Sequence, residues 1–178
     1  MILSVERAKA LIDLSGWTDE KVKMKLDAIE QTIRAYTNNN FQNRHIRSDC
    51  TIIQGDLCGV TVGFASGDTI QITESQYNSG LYTIATIDED DERITVEEGE
   101  LIKEHHVLVT RVEYPADVVA CCVNLLEWEV NNRGKVGIQS ETLSRHSVTY
   151  FNMDGANQVN GYPASLLGCL KPYRKARC

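Results

Sequence analysis

Apolar positions follow a helical period at both ends of the chain and a period near two in the middle. Val22, Leu26, Ile29, Ile33 and Tyr36 recur in steps of four and three, which predicts one amphipathic helix over 18–37. Thr18 is placed to cap it, Asp19 and Glu20 suit the positive end of its dipole, and "TNNN" at 37–40 stops it. A shorter helix is expected over 4–14, capped by Ser4 and ended by Gly16. From residue 50 the period changes. "TIIQ", "VTVGFA", "DTIQIT", "LYTIATI", "RITV" and "VLVTRVEY" are short, β-branched and often alternating, with "SGD", "YNSG", "DEDD" and "EEGE" as turns between them. That spacing predicts a small antiparallel sheet or barrel of about five or six strands.

Past Pro115, which suits a helix's first turn, Val118, Cys122, Leu125 and Leu126 form one face of a helix over 115–133. Val119, Val123 and Val130 widen that face, and Gly134 is a natural residue to end on. A polar stretch follows, "VGIQSETLSRHSVTYFNMD" at 136–154, and then a last short helix near 163–171, begun by Pro163 and stopped by Pro172. The expected class is α+β: a helical core of residues 1–48 and 115–178, interrupted by a small antiparallel β domain over 49–114.

Composition changes this picture little. The chain's 178 residues, 42% of them hydrophobic, suffice for one core or a core with a satellite domain. No apolar run approaches the ~20 residues that cross a bilayer, so no membrane association is expected. "MILSVERAKALIDLSG" does not read as a signal peptide, because Glu6 and Arg7 interrupt it, and a cytoplasmic origin is expected. The six cysteines (Cys50, Cys58, Cys121, Cys122, Cys169 and Cys178) are therefore expected as reduced thiols.

Charge is more informative in its distribution than in its total of −7. Residues 74–104 hold ten acids and two bases, whereas the ending "KPYRKARC" holds Lys171, Arg174, Lys175 and Arg177 with no acid. The plain reading is a solvated acidic face and a solvated basic tail. The acidic balance opposes tight binding of a phosphate backbone over most of the surface.

Motifs for catalysis are missing. The chain has no Gly-rich phosphate loop, GxSxG, HExxH or paired CxxC, and the Cys50–Cys58 spacing is not that of a zinc finger. His105 and His106 would point to opposite faces of a strand, which keeps them from sharing a metal. "DEDDERITVEEGE" lacks the central glycine and ligand order of a calcium loop and reads as a charged hairpin tip. No enzyme, cofactor or metal is expected. In the tail, Leu170 and Tyr173 look like anchors of a segment that enters another subunit's groove.

The C-terminal third carries a resemblance. "LLEWEVNNRGKVGIQSE", then S-x-x-L-S-R-H-S-V-T-Y, then Y-P-x-S-L-L-x-x-L-K-P-Y-x-K-A-R resemble the head–tail connector (adaptor) proteins of long-tailed double-stranded DNA phages. "VERAKALIDLSGWTDEKVKMKLDAIEQTIRAYTNNNF" is similar to that family's opening helices. "GDTIQITESQYNSGLYTI" is similar to the β insertion of a subgroup from phages of Gram-positive hosts. The likeness spans nearly the whole chain. Its motifs are moderately specific together and weak singly.

The resemblance implies a virion structural protein, made in the bacterial host cytoplasm and placed in the neck between head and tail. There it would form a ring of about twelve subunits beneath the portal, joined by heterologous contacts. Implied partners are further copies of the chain, the portal protein, a stopper or tail-completion protein, and double-stranded DNA that passes through without specific binding. Portal docking falls on Leu170, Lys171, Tyr173, Arg174, Lys175 and Arg177; Cys178 departs from the aromatic residue more usual at the end. In "SRHSVTY" the alternation of Val148 and Tyr150 with hydroxyl residues suits either a strand on its own core or a contact between subunits. The resemblance favours the latter, through Leu143, Arg145, His146, Val148, Tyr150 and Phe151. The acidic region would either line the DNA channel or face outward, and an insertion tip favours outward. Two alternatives remain: another neck protein (stopper or tail-completion), or a cytoplasmic module binding a peptide or nucleic acid.

Overall fold

The computed structural model describes residues 1–59, 61–135, 140–143, 146–149 and 157–176. The fold is mixed α+β, and the chain divides into two compact units: Met1 with residues 40–114, and residues 2–39 with 115–178.

Three α-helices organise the second unit. Ser4 caps α1 (Val5–Leu11) by accepting from the Arg7 amide at 3.2 Å. Thr18 caps α2 (Asp19–Thr37) through the Lys21 amide at 3.3 Å. Of the predicted stripe, Val22, Leu26, Ile29 and Ile33 are buried and Tyr36 is half-buried, and Asn38, at φ +48°, ends the helix in the left-handed region that asparagine tolerates. Helix α3 (Ala116–Asn132) buries Val118, Cys121, Cys122, Leu125 and Leu126. It closes with a 3₁₀ turn over Arg133–Lys135, which absorbs Gly134 instead of using it as a cap.

The middle of the chain is not a small insertion but a closed six-stranded antiparallel barrel. Its strands are β1 (Gln42–Ile53), β2 (Asp56–Cys58), β3 (Thr69–Thr73), β4 (Gly80–Asp88), β5 (Arg93–Val96) and β6 (Glu104–Val112), in the order β1-β2-β5-β4-β3-β6 with β6 returning to β1. Cys50, Ile52, Leu57, Ile70, Ile72, Ile84, Ile94, Val96, Leu101, Val107 and Val109 fill the interior. Strand β1 starts before the expected boundary at 49, because "QNRHIRSD" pairs with β6 through its backbone while its side chains are largely exposed. Of "VTVGFA", residues 61–65 form a loop, turned at Gly63 (φ +87°) and preceded by Gly59 (φ +148°), and residue 60 lies outside the described residues. A bulge between Cys50 and Ile52 breaks the alternation of β6, where His106 has φ +59° and both His105 and His106 are exposed.

Chain entry and exit meet at one end of the barrel. Gln42 pairs with Val112, the Glu113 amide donates to the Phe41 carbonyl at 2.9 Å, and the Phe41 and Tyr114 rings lie 5.0 Å apart. A fragment of residues 40–114 should therefore fold alone and unfold cooperatively in urea. A broad, non-cooperative transition by circular dichroism would contradict it.

After α3 come two hairpins, β7 (Ser140–Leu143) with β8 (His146–Thr149), and β9 (Gln158–Val159) with β10 (Tyr162–Pro163). The α-helix expected near 163–171 does not form. Pro163 pairs with Gln158, a run of i+3 turns follows, and a 3₁₀ helix spans Gly168–Tyr173 with Pro172 inside it. With three residues per turn, Leu167 and Leu170 fall on one face, and both are fully buried. Among the described residues, no helix is long and apolar enough to cross a membrane.

Candidate functional site

The basic tail lies on the helices of its own unit. The Lys175 amide donates to the Thr37 carbonyl at 2.8 Å, Asn38 Nδ2 to the Ala176 carbonyl at 2.9 Å, and Asn39 Nδ2 to the Tyr173 carbonyl at 3.3 Å. The end of α2 thus supplies the partners its own last turn leaves over. Tyr173 Oη donates to the Asp117 carboxylate in the first turn of α3, 2.7 and 2.8 Å from its two oxygens. That bond raises the phenol's pKa and keeps the proton on Tyr173. The Arg174 guanidinium sits 5.2 Å from the Tyr36 ring centre.

These contacts sort the residues implied in portal docking. Leu170 is spent inside its own unit, and Tyr173 is half-buried against Asp117. Neither is presented as an outward anchor in this arrangement. Lys171, Arg174 and Lys175 are exposed, so the outward chemistry of the tail is cationic. Arg177 and Cys178 lie outside the described residues.

A buried ion cluster holds the turn that leads into the tail. Glu129 is 3% exposed, on the face of α3 that Cys122, Leu125 and Leu126 begin. It accepts from Lys25 Nζ at 3.0 Å and from Arg133 Nε at 3.0 Å and Nη2, and the Tyr162 hydroxyl also favours its charged form. Burial alone would raise its pKa, but these donors outweigh that and hold the carboxyl down to about 2. Arg133 also donates to the Gly161 carbonyl at 3.2 Å and lies 4.8 Å and 5.1 Å from the Trp128 and Tyr162 ring centres. A Cβ on Gly161 (φ +78°) would come within 3.2 Å of the guanidinium, so glycine suits both the turn and the stack. The sequence signal for this cluster was a carboxylate falling in step with an apolar stripe.

Of the residues implied in contact between subunits, Leu143, His146 and Val148 lie in the β7–β8 hairpin, where the backbone of Leu143 pairs with that of His146 and Glu141 with Val148. Arg145, Tyr150 and Phe151 lie outside the described residues.

The barrel divides the acidic region between its two ends. Strand directions put the β4–β5 turn, residues 89–92, at the end where the chain enters and leaves. Its backbone is tied by Asp88 Oδ1, which accepts from the Asp90 and Asp91 amides at 3.1 Å. The opposite end carries the β1–β2, β3–β4 and β5–β6 connections, with exposed Ile53, Tyr77 and Ile102 beside exposed Glu74, Glu97 and Glu100. Glu104 organises that end, accepting from Ser75 Oγ at 2.5 Å, the Gln76 amide at 2.6 Å and Asn78 Nδ2 at 2.9 Å. Those bonds, led by the one from Ser75, lower its pKa. Nothing in the sequence pattern marks the exposure of Tyr77 or Ile102.

Among the described residues, no group of three His, Cys, Asp or Glu side chains is placed to hold a metal ion. His106 Nδ1 is 3.3 Å from Asp49 Oδ2, an exposed pair. An open groove beside the α1–α2 turn is lined by Asp13, Leu14, Trp17 and Lys9, whose ammonium is taken by Asp19. The geometry is that of surfaces: a cationic tail laid on helices, and a barrel with carboxylates at both ends. Compared with protein-family models and with curated proteins, the chain finds no match in either.

Proposed function

We propose that the chain is a head–tail connector (adaptor) subunit of a long-tailed double-stranded DNA phage. In this role it assembles as a ring beneath the portal, in the neck of the virion, and joins head to tail. The observation that carries the reading is the C-terminal segment, the part with the strongest resemblance to that family. It displays Lys171, Arg174 and Lys175 while Leu170 and Tyr173 secure it. An arrangement of this kind fits docking onto an acidic protein surface, since rim charges steer association and set its register. A cyclic ring built of one chain needs two different surfaces on each subunit. The cationic tail and the acidic, apolar-studded far end of the barrel are two surfaces of opposite character. Carboxylates at both barrel ends also suit a protein beside passing DNA, because they repel phosphates and do not hold the duplex.

The test mixes purified chain with tailless phage heads and images the portal vertex. A ring below the portal is the expected result, and heads that stay bare would end the adaptor reading. Combined Lys171→Glu, Arg174→Glu and Lys175→Glu should weaken head binding by about tenfold or more, with the loss growing at low salt. If the triple variant binds like the parent, the tail is not the docking surface, whatever the chain as a whole does.

A further inference from the structure

Two thiols meet where the tail crosses α3. Cys121, in the middle of that helix, is 1% exposed, while Cys169, in the 3₁₀ helix, is exposed. Both are aimed at one acceptor: the Leu166 carbonyl oxygen is 3.4 Å from Cys121 Sγ and 3.6 Å from Cys169 Sγ. Sharing that oxygen places the two sulfurs on the same side of the Leu166 peptide. A buried thiol beside an exposed one has the layout of an oxidisable pair, in which the exposed sulfur meets the oxidant and the buried one resolves it. The remaining described cysteines lack this arrangement. Cys50 is buried in the barrel interior, Cys58 is half-buried, and Cys122 is fully buried on α3 with no exposed thiol sharing an acceptor with it.

We propose that Cys121 and Cys169 are a modification site for peroxide, closing to an intramolecular disulfide that fastens the basic tail to α3. In the first step hydrogen peroxide oxidises the Cys169 thiol to a sulfenic acid and releases one water. In the second, Cys121 sulfur attacks the Cys169 sulfur; the S–S bond forms, the S–O bond breaks, and the hydroxyl leaves with the Cys121 proton as a second water. Two electrons pass from the two thiols to one peroxide. The pair is held together by α3 and the 3₁₀ helix, so formation is intramolecular and independent of protein concentration. The bond does not depend on what the tail docks to. Its consequence does concern the tail: residues 168–173 can no longer lift from the helix by local unfolding.

The full chain would be treated with hydrogen peroxide in its native state, its remaining thiols blocked with N-ethylmaleimide, and its peptides mapped without reduction. The expected product links the peptide holding Cys121 to the one holding Cys169, with fragmentation placing the bond on Cys121 and not Cys122. Cys169→Ser, an exposed and mild change, should abolish the link. The link should also slow tryptic cleavage after Arg174 several-fold in the parent and leave Cys169→Ser unaffected. Cys169 recovered as sulfinic acid, or bridged to a second chain or to Cys178, with Cys121 still a thiol, would overturn the site. A disulfide that forms without protecting Arg174 would overturn the fastening of the tail.

Discussion

Glu129→Ala should cost the helical unit about 2–4 kcal/mol. The carboxylate is 3% exposed and holds Lys25 and Arg133 together, so its loss leaves two cations without their shared partner. Those cations retain 29% and 38% side-chain exposure, and the water they reach keeps the cost below that of a fully buried broken pair. The same cluster sets a pH dependence. The folded carboxyl titrates near 2, below its ordinary value of 4.5, so in acid the unfolded chain takes up the proton first. The stabilisation is complete above the ordinary value and is lost as pH falls from there toward 2. Glu129→Gln should remove that slope, and the difference in urea midpoint between the parent and this variant should shrink across that window. A difference that stays constant down to pH ~2 would mean the carboxylate contributes nothing through its charge.

Ile72→Ala should cost the barrel about 2–5 kcal/mol. Ile72 is fully buried on β3, the strand between β4 and β6, where truncation opens a cavity that a closed barrel cannot collapse around. Ile53→Ala, at a 40% exposed position of the same barrel, should stay within about 0.5 kcal/mol. The two units can be followed separately. Both tryptophans, Trp17 and Trp128, belong to the helical unit, so their fluorescence should register Glu129→Ala and miss Ile72→Ala. Far-ultraviolet circular dichroism should register both. Equal shifts of tryptophan fluorescence and circular dichroism in Ile72→Ala would show that the units unfold as one.

Where the chain's periodicity reports burial, the fold was legible. The α2 stripe, the Ser4 and Thr18 caps and the barrel's β-branched runs follow from spacing and side-chain chemistry alone. Errors arose where backbone pairing or glycine geometry decides. The first half of β1 is polar and pairs through main-chain groups, so it carries no apolar signature. "VTVGFA" has the composition of a strand, but residues 61–65 form a loop turned at Gly63, which leaves Val62 82% exposed. "PASLLGCL" was expected as an α-helix; its leucines three apart serve a 3₁₀ helix equally well, and Pro163 is taken by a hairpin. At the candidate site the tail's cations were legible because charge at a chain end is written in the sequence. The inward direction of Leu170 was not, because an apolar anchor reads the same whether it fills its own core or a partner's.

Closure of the barrel bears on how the chain behaves when crowded. A strand with a free edge offers a row of unmet amides and carbonyls to any neighbour, which is how sheets grow into aggregates. β1 through β6 each have a partner on both sides, which leaves little of that template, although β2 covers only Thr51–Ile53 of β1. Among the described residues, the edges that remain are the largely polar first part of β1 and hairpins of four-residue and two-residue strands, poor seeds for a fibre. High concentration should therefore lead this chain to precipitate slowly or not at all, and any self-association should run through side chains and charge.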